Sequence, residues 1–353
     1  MITEKCSEAE WIKNKSTELK VDPILAEKAI YAFELVGSLV TKGGNFIFKG
    51  GTALLLVLPE LRRLSIDVDI LTEESVKTTL YDGIIKDGIF KRWTEDVRTS
   101  NYSIPKKHYK FHYYSQIERR EDYVLLDEVE QHTPFPRITP RQIIHTLFEV
   151  DNEIKVSIPS VDGFVGDKLS TIAPTSIGIP YESGKSMELI KQFHDFGFLF
   201  HFITNLEEVK EVYEAIAKME SSYRGLHFSL ENFLNDAIKV SFLISQLGLR
   251  HSIENDHTKE LRDGINRIRS YVVGGRYNIS YAKEDASKVA LIASLIKNGS
   301  LHVDLEKLRI ELGAEDLITD VSIPREYGIL NGLKKTSPKS FHSWALATKA
   351  IRV

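Results

Sequence analysis

The sequence predicts an α/β front half, with a mixed sheet, followed by a mostly α-helical C-terminal part, the boundary lying near Ser157 to Val161. Three observations carry this. Short strand-like and helix-like runs alternate up to about residue 90. Between Phe90 and Pro159 the chain is rich in β-branched and aromatic runs, "HYKFHYYS", "YVLLDEVE" and "EIKVSIPS", separated by charged or Pro-containing turns. From Ser160 onward, apolar residues recur at helical spacing almost to the end. The expected domains are therefore 1–158 and 159–353.

Each element has its own signal. "DPILAEKAIYAFELVGSLVTKGG" starts with Asp22 as N-cap and Pro23 in the first turn, and stops at Gly43-Gly44. "NFIFK" reads as a short buried strand. Thr52 to Arg63 reads as a helix bent near Pro59. "LSIDVDIL" is a strand by its alternation, and "EESVKTTLYDGII" is helical. In the back half, "SMELIKQFHDFGFLFHFI", "LENFLNDAIKVSFLISQLG", "ELRDGINRIRSYVVGG" and "DASKVALIASLIKNG" read as helices.

Bulk composition narrows the classes. With 353 residues, 42% hydrophobic and 27% charged, the chain is that of an ordinary globular protein of about two domains. A net charge of -4 argues against a globally basic nucleic-acid binder but leaves room for a local basic groove. Cys6 is the only cysteine, which excludes an intramolecular disulfide and a cysteine-based zinc cluster. The opening residues lack the apolar core of a secretory signal. The most apolar short stretches, such as "FGFLFHFI", fall far below the ~20 residues that span a bilayer. A cytoplasmic protein is expected, with no membrane partner.

"KGGTALLLVLPELRRLSIDVDI" concentrates the chemistry. Strand side chains alternate, so Asp67 and Asp69 share a face roughly 7 Å apart, with Val68 on the other. Two such carboxylates repel each other unless cations intervene. Magnesium prefers oxygen ligands shared between carboxylates and substrate phosphates, and paired ions serve group transfer between oxygens. Gly50 and Gly51 lack a Cβ and allow a ligand close to the backbone, and Thr52 adds a hydroxyl. Ser65 lies on the same strand face as Asp67. Phosphorylation there would set about -1.5 to -2 charges beside the carboxylates and block the site. "SGKS" at Ser183–Ser186 is not a phosphate loop, because the required earlier glycine is missing and no strand feeds it. Asn101-Tyr102-Ser103 matches a glycosylation sequon without a context that would use it.

The pattern "KGGTAL…RLSIDVDI" resembles the first motif of the AbiEii/MenT-type nucleotidyltransferase toxins, which have a polymerase-β-like nucleotidyltransferase fold. The matching positions are Gly50, Gly51, Thr52, Arg63, Ser65, Asp67 and Asp69. "SVDGFVGDKLSTIAP" resembles a second motif through Lys168 and Leu169, and "KQFHDFGFL" a third through Lys191 and Asp195. Gln192, and Gly166-Asp167 before the lysine, depart from the usual pattern.

The resemblance implies a metal-dependent transfer from an NTP, with Mg²⁺ or Mn²⁺ held by Asp67 and Asp69. Gly50–Thr52 would seat the triphosphate, with Lys168 and Lys191 as phosphate cations. Asp195 would orient Lys168 or act as general base, or else form a surface pair with Lys191. A third carboxylate is expected on a neighbouring strand: Asp127, which interrupts an apolar run, or Glu128, which points the opposite way. His194 is expected to be structural. The resemblance further implies a toxin of a bacterial toxin–antitoxin or phage-defence system, with an RNA acceptor, tRNA first, and a cognate antitoxin encoded nearby. Two rivals stand beside it: a non-catalytic nucleotide-binding regulator, and a transferase acting on a small molecule such as an antibiotic. Basic clusters at Lys106-Lys107, Arg119-Arg120, Arg137, Arg141 and Lys334-Lys335, with aromatics interleaved in "KKHYKFHYY", are candidate RNA contacts.

Overall fold

Local chemistry builds the helices where the pattern places them. In the computed structural model, which describes residues 1–97, 105–309 and 320–349, the Asp22 carboxylate accepts hydrogen bonds from the backbone N–H groups of Ile24 and Leu25 at 2.9 and 3.0 Å. This caps helix α2 (Pro23–Thr41), which follows α1 (Ala9–Leu19). The Asn101 sequon lies outside the described residues.

The chain divides into two compact units. The first comprises Met1–Ser160 with Ser270–Arg276, and the second Val161–Arg269 with Tyr277–Val353.

The first unit holds a seven-stranded mixed sheet. Its strands are β1 (Ile47–Lys49), β2 (Val68–Thr72), β3 (Arg92–Glu95), β4 (Lys106–Tyr114), β5 (Glu121–Glu130), β6 (Ile138–Gln142) and β7 (Lys155–Pro159), in the order β3-β4-β5-β2-β1-β7-β6. β2 pairs in parallel with β5, and β1 with β7; the other pairings are antiparallel.

One face of the sheet is packed. Tyr109, Phe111 and Tyr113 of β4 are buried, as are Val124 and Leu126 of β5. Tyr31 of α2 stacks on Tyr113 at 3.7 Å between ring centroids. Tyr81 of α4 (Thr78–Asp87) meets Tyr109 and Phe111 edge-on. The opposite face of β4 and β5 is at least partly exposed along most of its length, as expected of antiparallel strands with one solvated side.

Three expectations are corrected. The helix expected over Thr52 to Arg63 is only α3 (Gly50–Leu54). Beyond it, Leu56 and Val57 bond three residues back, to Ala53 and Leu54, in a tightening turn that ends before Pro59. The strand expected from Leu64 begins at Val68. Leu64 N–H instead donates to the Tyr271 carbonyl at 2.8 Å, and Arg63 bridges to Val272. That partner segment is also why the helix expected through Gly275 stops at Arg267: the chain leaves to join the first unit.

The second unit is helical: α5 (Val161–Thr171), α6 (Ser186–Leu199), α7 (Leu206–Tyr223), α8 (Leu230–Ser245), α9 (Asp256–Arg267), α10 (Ile279–Lys297), and the shorter α11 (Leu305–Leu308), α12 (Leu333–Thr336) and α13 (Pro338–Ala347). Side-chain caps from Asn205, Ser229, Asn255 and Asn278 start four of them. α10 is central, touching α6, α8 and α13. α5 lies close to α7 because Gly166 leaves room: a Cβ there would stand 2.8 Å from the Val209 carbonyl oxygen. The departure from the family pattern at Gly166 is thus a packing requirement. No helix among the described residues is long and apolar enough to cross a membrane.

Candidate active site

The sheet register assembles the carboxylates. Asp69 of β2 lies opposite Lys49 of β1 on one side and Asp127 of β5 on the other, and Asp127 lies opposite His108 of β4. In-register neighbours share a face, so Lys49, Asp69, Asp127 and His108 form one charged row across four adjacent strands. Asp67 stands just before β2, two residues from Asp69, and is exposed. Adjacent strands are about 4.8 Å apart, so the Asp69 and Asp127 backbones are close neighbours.

The glycines meet this row directly. Gly50 ends the row at β1 with φ +75°, a left-handed conformation that suits glycine. A Cβ on Gly50 would collide with the Asp69 carboxylate. A Cβ on Gly51 would lie 2.6 Å from Ser65 Oγ and 2.7 Å from Arg63 Nη2. The double glycine therefore lets α3 start directly against Asp69, Ser65 and Arg63. Thr52 is buried, and its hydroxyl donates to the Asp67 carbonyl at 2.5 Å. That bond ties the glycine turn to the residue carrying the first carboxylate.

Asp127 and Glu128 divide as alternation requires. Glu128 is buried on the packed face, where it accepts from Val76 N–H at 2.7 Å and the Tyr81 hydroxyl at 3.0 Å. Asp127 faces the charged row. His108 Nδ1 lies 2.6 Å from its Oδ1, and Lys106 Nζ lies 2.5 Å from its Oδ2. Burial alone would push its pKa up, but the His108 hydrogen bond and the Lys106 charge and hydrogen bond outweigh it and bring it down to about 2.

The basic run of β4 is therefore read differently in three dimensions. Of its aromatics, Tyr109, Phe111 and Tyr113 are core residues, not stacking platforms, while Tyr114 is exposed. Lys110 faces the row and pairs with Asp96 at 2.8 Å, His112 on the same face lies 3.2 Å from Glu121, and Lys107 points to the other face and donates to Ser75 Oγ at 2.7 Å. Tyr123 and Tyr114 are exposed aromatics of the row's face, with Lys110 Nζ 5.0 Å from the Tyr123 ring centre and Lys91 Nζ 4.9 Å from that of Tyr114.

The row supplies two carboxylates, Asp69 and Asp127, and Asp67 stands two residues before Asp69; oxygen donors of this kind suit a hard divalent cation. Among the described residues no three potential ligands already converge on one point. The groups that meet the Asp127 carboxylate are the Lys106 ammonium and the His108 ring.

The second unit brings Lys168 and Asp195 together. Lys168 of α5 and Asp195 of α6 are each 5% exposed at the side chain, with Nζ 3.2 Å from Oδ2. Lys168 also donates to Gln192 Oε1 at 2.9 Å, so the departure at Gln192 supplies a neutral acceptor to the same ammonium. Lys191 lies one turn before Asp195 on α6 and is half-buried. His194 Nδ1 is buried without a hydrogen-bond partner, 3.8 Å from Asp195 Oδ1 and beside the Tyr277 ring. The Tyr277 hydroxyl donates to Asp285 at 2.8 Å. His108 and Asp285 were not singled out by sequence, while Arg63 was named only as a motif position and Lys106 only as a candidate RNA contact. Alternation in "KKHYKFHYY" carried the signal for Lys106 and His108.

The family model for the nucleotidyl transferase AbiEii toxin of type IV toxin–antitoxin systems matches residues 35–283. The chain belongs to the AbiEii nucleotidyltransferase toxin family. It is thus a nucleotidyltransferase, in agreement with the resemblance read from the motif, and the expected α/β-then-helical fold class is the one observed. Membership in a type IV system also implies a cognate antitoxin. Among solved structures, a Helicobacter pylori protein described as a candidate nucleotidyltransferase aligns over 81% of this chain and 97% of its own, at 15% identity and TM-score 0.44. JHP933 from Helicobacter pylori aligns over 79% and 96%, at 15% identity and TM-score 0.46. No curated protein matches.

Proposed function

We propose that this AbiEii-family chain is a metal-dependent transferase that moves a nucleotide from an NTP onto a hydroxyl of an RNA acceptor, with tRNA the first candidate. The observation that carries the reading is the register of Asp69 beside Asp127, next to a double glycine whose Cβ atoms would strike Asp69, Ser65 and Arg63. Asp67, Asp69 and Asp127 would hold Mg²⁺ or Mn²⁺, which when bound would neutralise phosphate charge and polarise the reacting oxygens. Gly50–Thr52 would seat the triphosphate along a backbone with no side chain in the way. Arg63 and Ser65, packed at Gly51, would add donors to it. Lys168 and Lys191 of the second and third motifs are the candidate catalytic cations, and Asp195 lies 3.2 Å from the Lys168 ammonium. The acceptor hydroxyl attacks the α-phosphate and pyrophosphate leaves. The product is toxic in this reading, and the antitoxin restrains the cytoplasmic enzyme, as a phage-defence role requires.

The test uses α-labelled NTPs with Mg²⁺ and total RNA. Label on RNA is expected, and Asp69→Asn should lower transfer by roughly a thousandfold or more while the circular dichroism spectrum is unchanged. Label on a small molecule would favour the antibiotic-type rival. Intact NTP binding without any transfer would favour a regulatory protein.

A further inference from the structure

We propose that Lys106 is a tethered counter-cation of Asp127, and that a divalent ion can use this carboxylate only by displacing the Lys106 ammonium. The inference rests on the reading that the carboxylate row binds divalent ions.

The geometry is specific. His108 lies directly opposite Asp127 in the β4–β5 register, and its ring reaches Oδ1. Lys106 lies opposite Val129, one diagonal step along the row, and a four-carbon stem spans that step to Oδ2. Both carboxylate oxygens are thereby met by positive or proton-donating groups from one strand. A divalent ion brought to Oδ2 would face the ammonium across the same oxygen, and the repulsion between them opposes shared use.

Of the two contacts, Lys106 is the one able to leave. Its side chain is 32% exposed on a flexible stem, whereas that of His108 is 14% exposed and its ring is set by its position opposite Asp127. Lys110, the next basic residue on this face, is already paired with Asp96 and does not compete. A site that includes Asp127 must therefore first break this intramolecular ion pair. Lys106 would then govern how many divalent ions the nucleotide-free protein holds.

Manganese binding to the nucleotide-free protein, followed by electron paramagnetic resonance, tests this. Lys106→Gln should tighten the weaker Mn²⁺ site roughly tenfold, the scale on which a partly exposed ion pair competes. Lys106→Arg keeps the charge and should stay within about twofold of the parent. Adding Asp127→Asn to Lys106→Gln should remove the gain. Unchanged Mn²⁺ affinity in Lys106→Gln, with binding lost in Asp69→Asn, would overturn the role of Lys106 and leave the carboxylate reading standing. A gain that survives Asp127→Asn would overturn it too, by placing the ion elsewhere. Parent-like Mn²⁺ binding in Asp69→Asn would remove the carboxylate reading, and this inference with it.

Discussion

Asp127 in the sheet unit and Asp285 in the helical unit are both drawn out of bulk water, yet their acidities move in opposite directions. Asp127 has Lys106 and His108 within 2.6 Å, and its pKa falls to about 2. Asp285 lies against the backbone of Gly197 and accepts from the Tyr277 hydroxyl, with the Lys288 charge only partly offsetting burial; its pKa rises to about 6. Burial penalises both charges. What differs is whether a cation arrives with the carboxylate. The sheet gathers charges in a row on a half-open face, where counter-ions fit. The helix seam supplies an O–H and backbone, which solvate the neutral acid as well as the anion.

The comparison can be broken at its strongest contact first. Lys168→Met would leave Asp195 buried without its ammonium, and should cost about 3–5 kcal/mol in urea unfolding. Lys168→Met/Asp195→Leu should recover most of that. If the single substitution costs under about 1 kcal/mol, the pair is not what keeps Asp195 charged in the helical unit.

The acid limb sharpens it next. The Asp127 pKa is depressed from 3.8, so its contribution is complete above that value and disappears as pH falls through about 2. Its size is about 2 kcal/mol. Asp127→Asn should therefore be less stable than the parent by about that amount at pH 7, with the two urea midpoints converging towards pH 2.

Gly197→Ala places a methyl group into the Asp285 carboxylate, and should cost about 1–3 kcal/mol by overpacking. Asp285→Ala in the same chain should restore part of this, and the double-mutant cycle measures the coupling.

The Asp285 effect has the opposite sign from Asp127. With the Asp285 pKa raised, the stability that goes with the neutral acid is complete below 3.8 and is lost as pH rises through about 6. Asp285→Asn should thus be more stable than the parent by up to about 3 kcal/mol at pH 8. It should be indistinguishable near pH 4, by urea denaturation. A lower stability at pH 8 would mean that the anion is held by more than Lys288.

Much of the candidate site was legible one segment at a time. Asp67 and Asp69 interrupt an alternating apolar run, Asp127 does the same in β5, and the double glycine stands just ahead of a short helix. Glu128 was assigned to the far face by alternation alone, and it is there, held by Tyr81 and Val76. The aromatics of β4 misled for the same reason that they are strand formers: a pleated strand with one buried face needs them in the core.

What the sequence by itself determined are properties with a short range: caps, periodicity, the chemistry of each side chain and the face it takes within its own strand. Only the tertiary structure decided that Asp69 pairs in parallel with Asp127, that Arg63 and Leu64 join the segment around Tyr271, and that Lys106, not solvent, meets Asp127. The physical reason is that register and ion pairing are set by segments far apart in the chain. Their choice of partner depends on the total packing of the sheet and its covering helices, which no local pattern encodes.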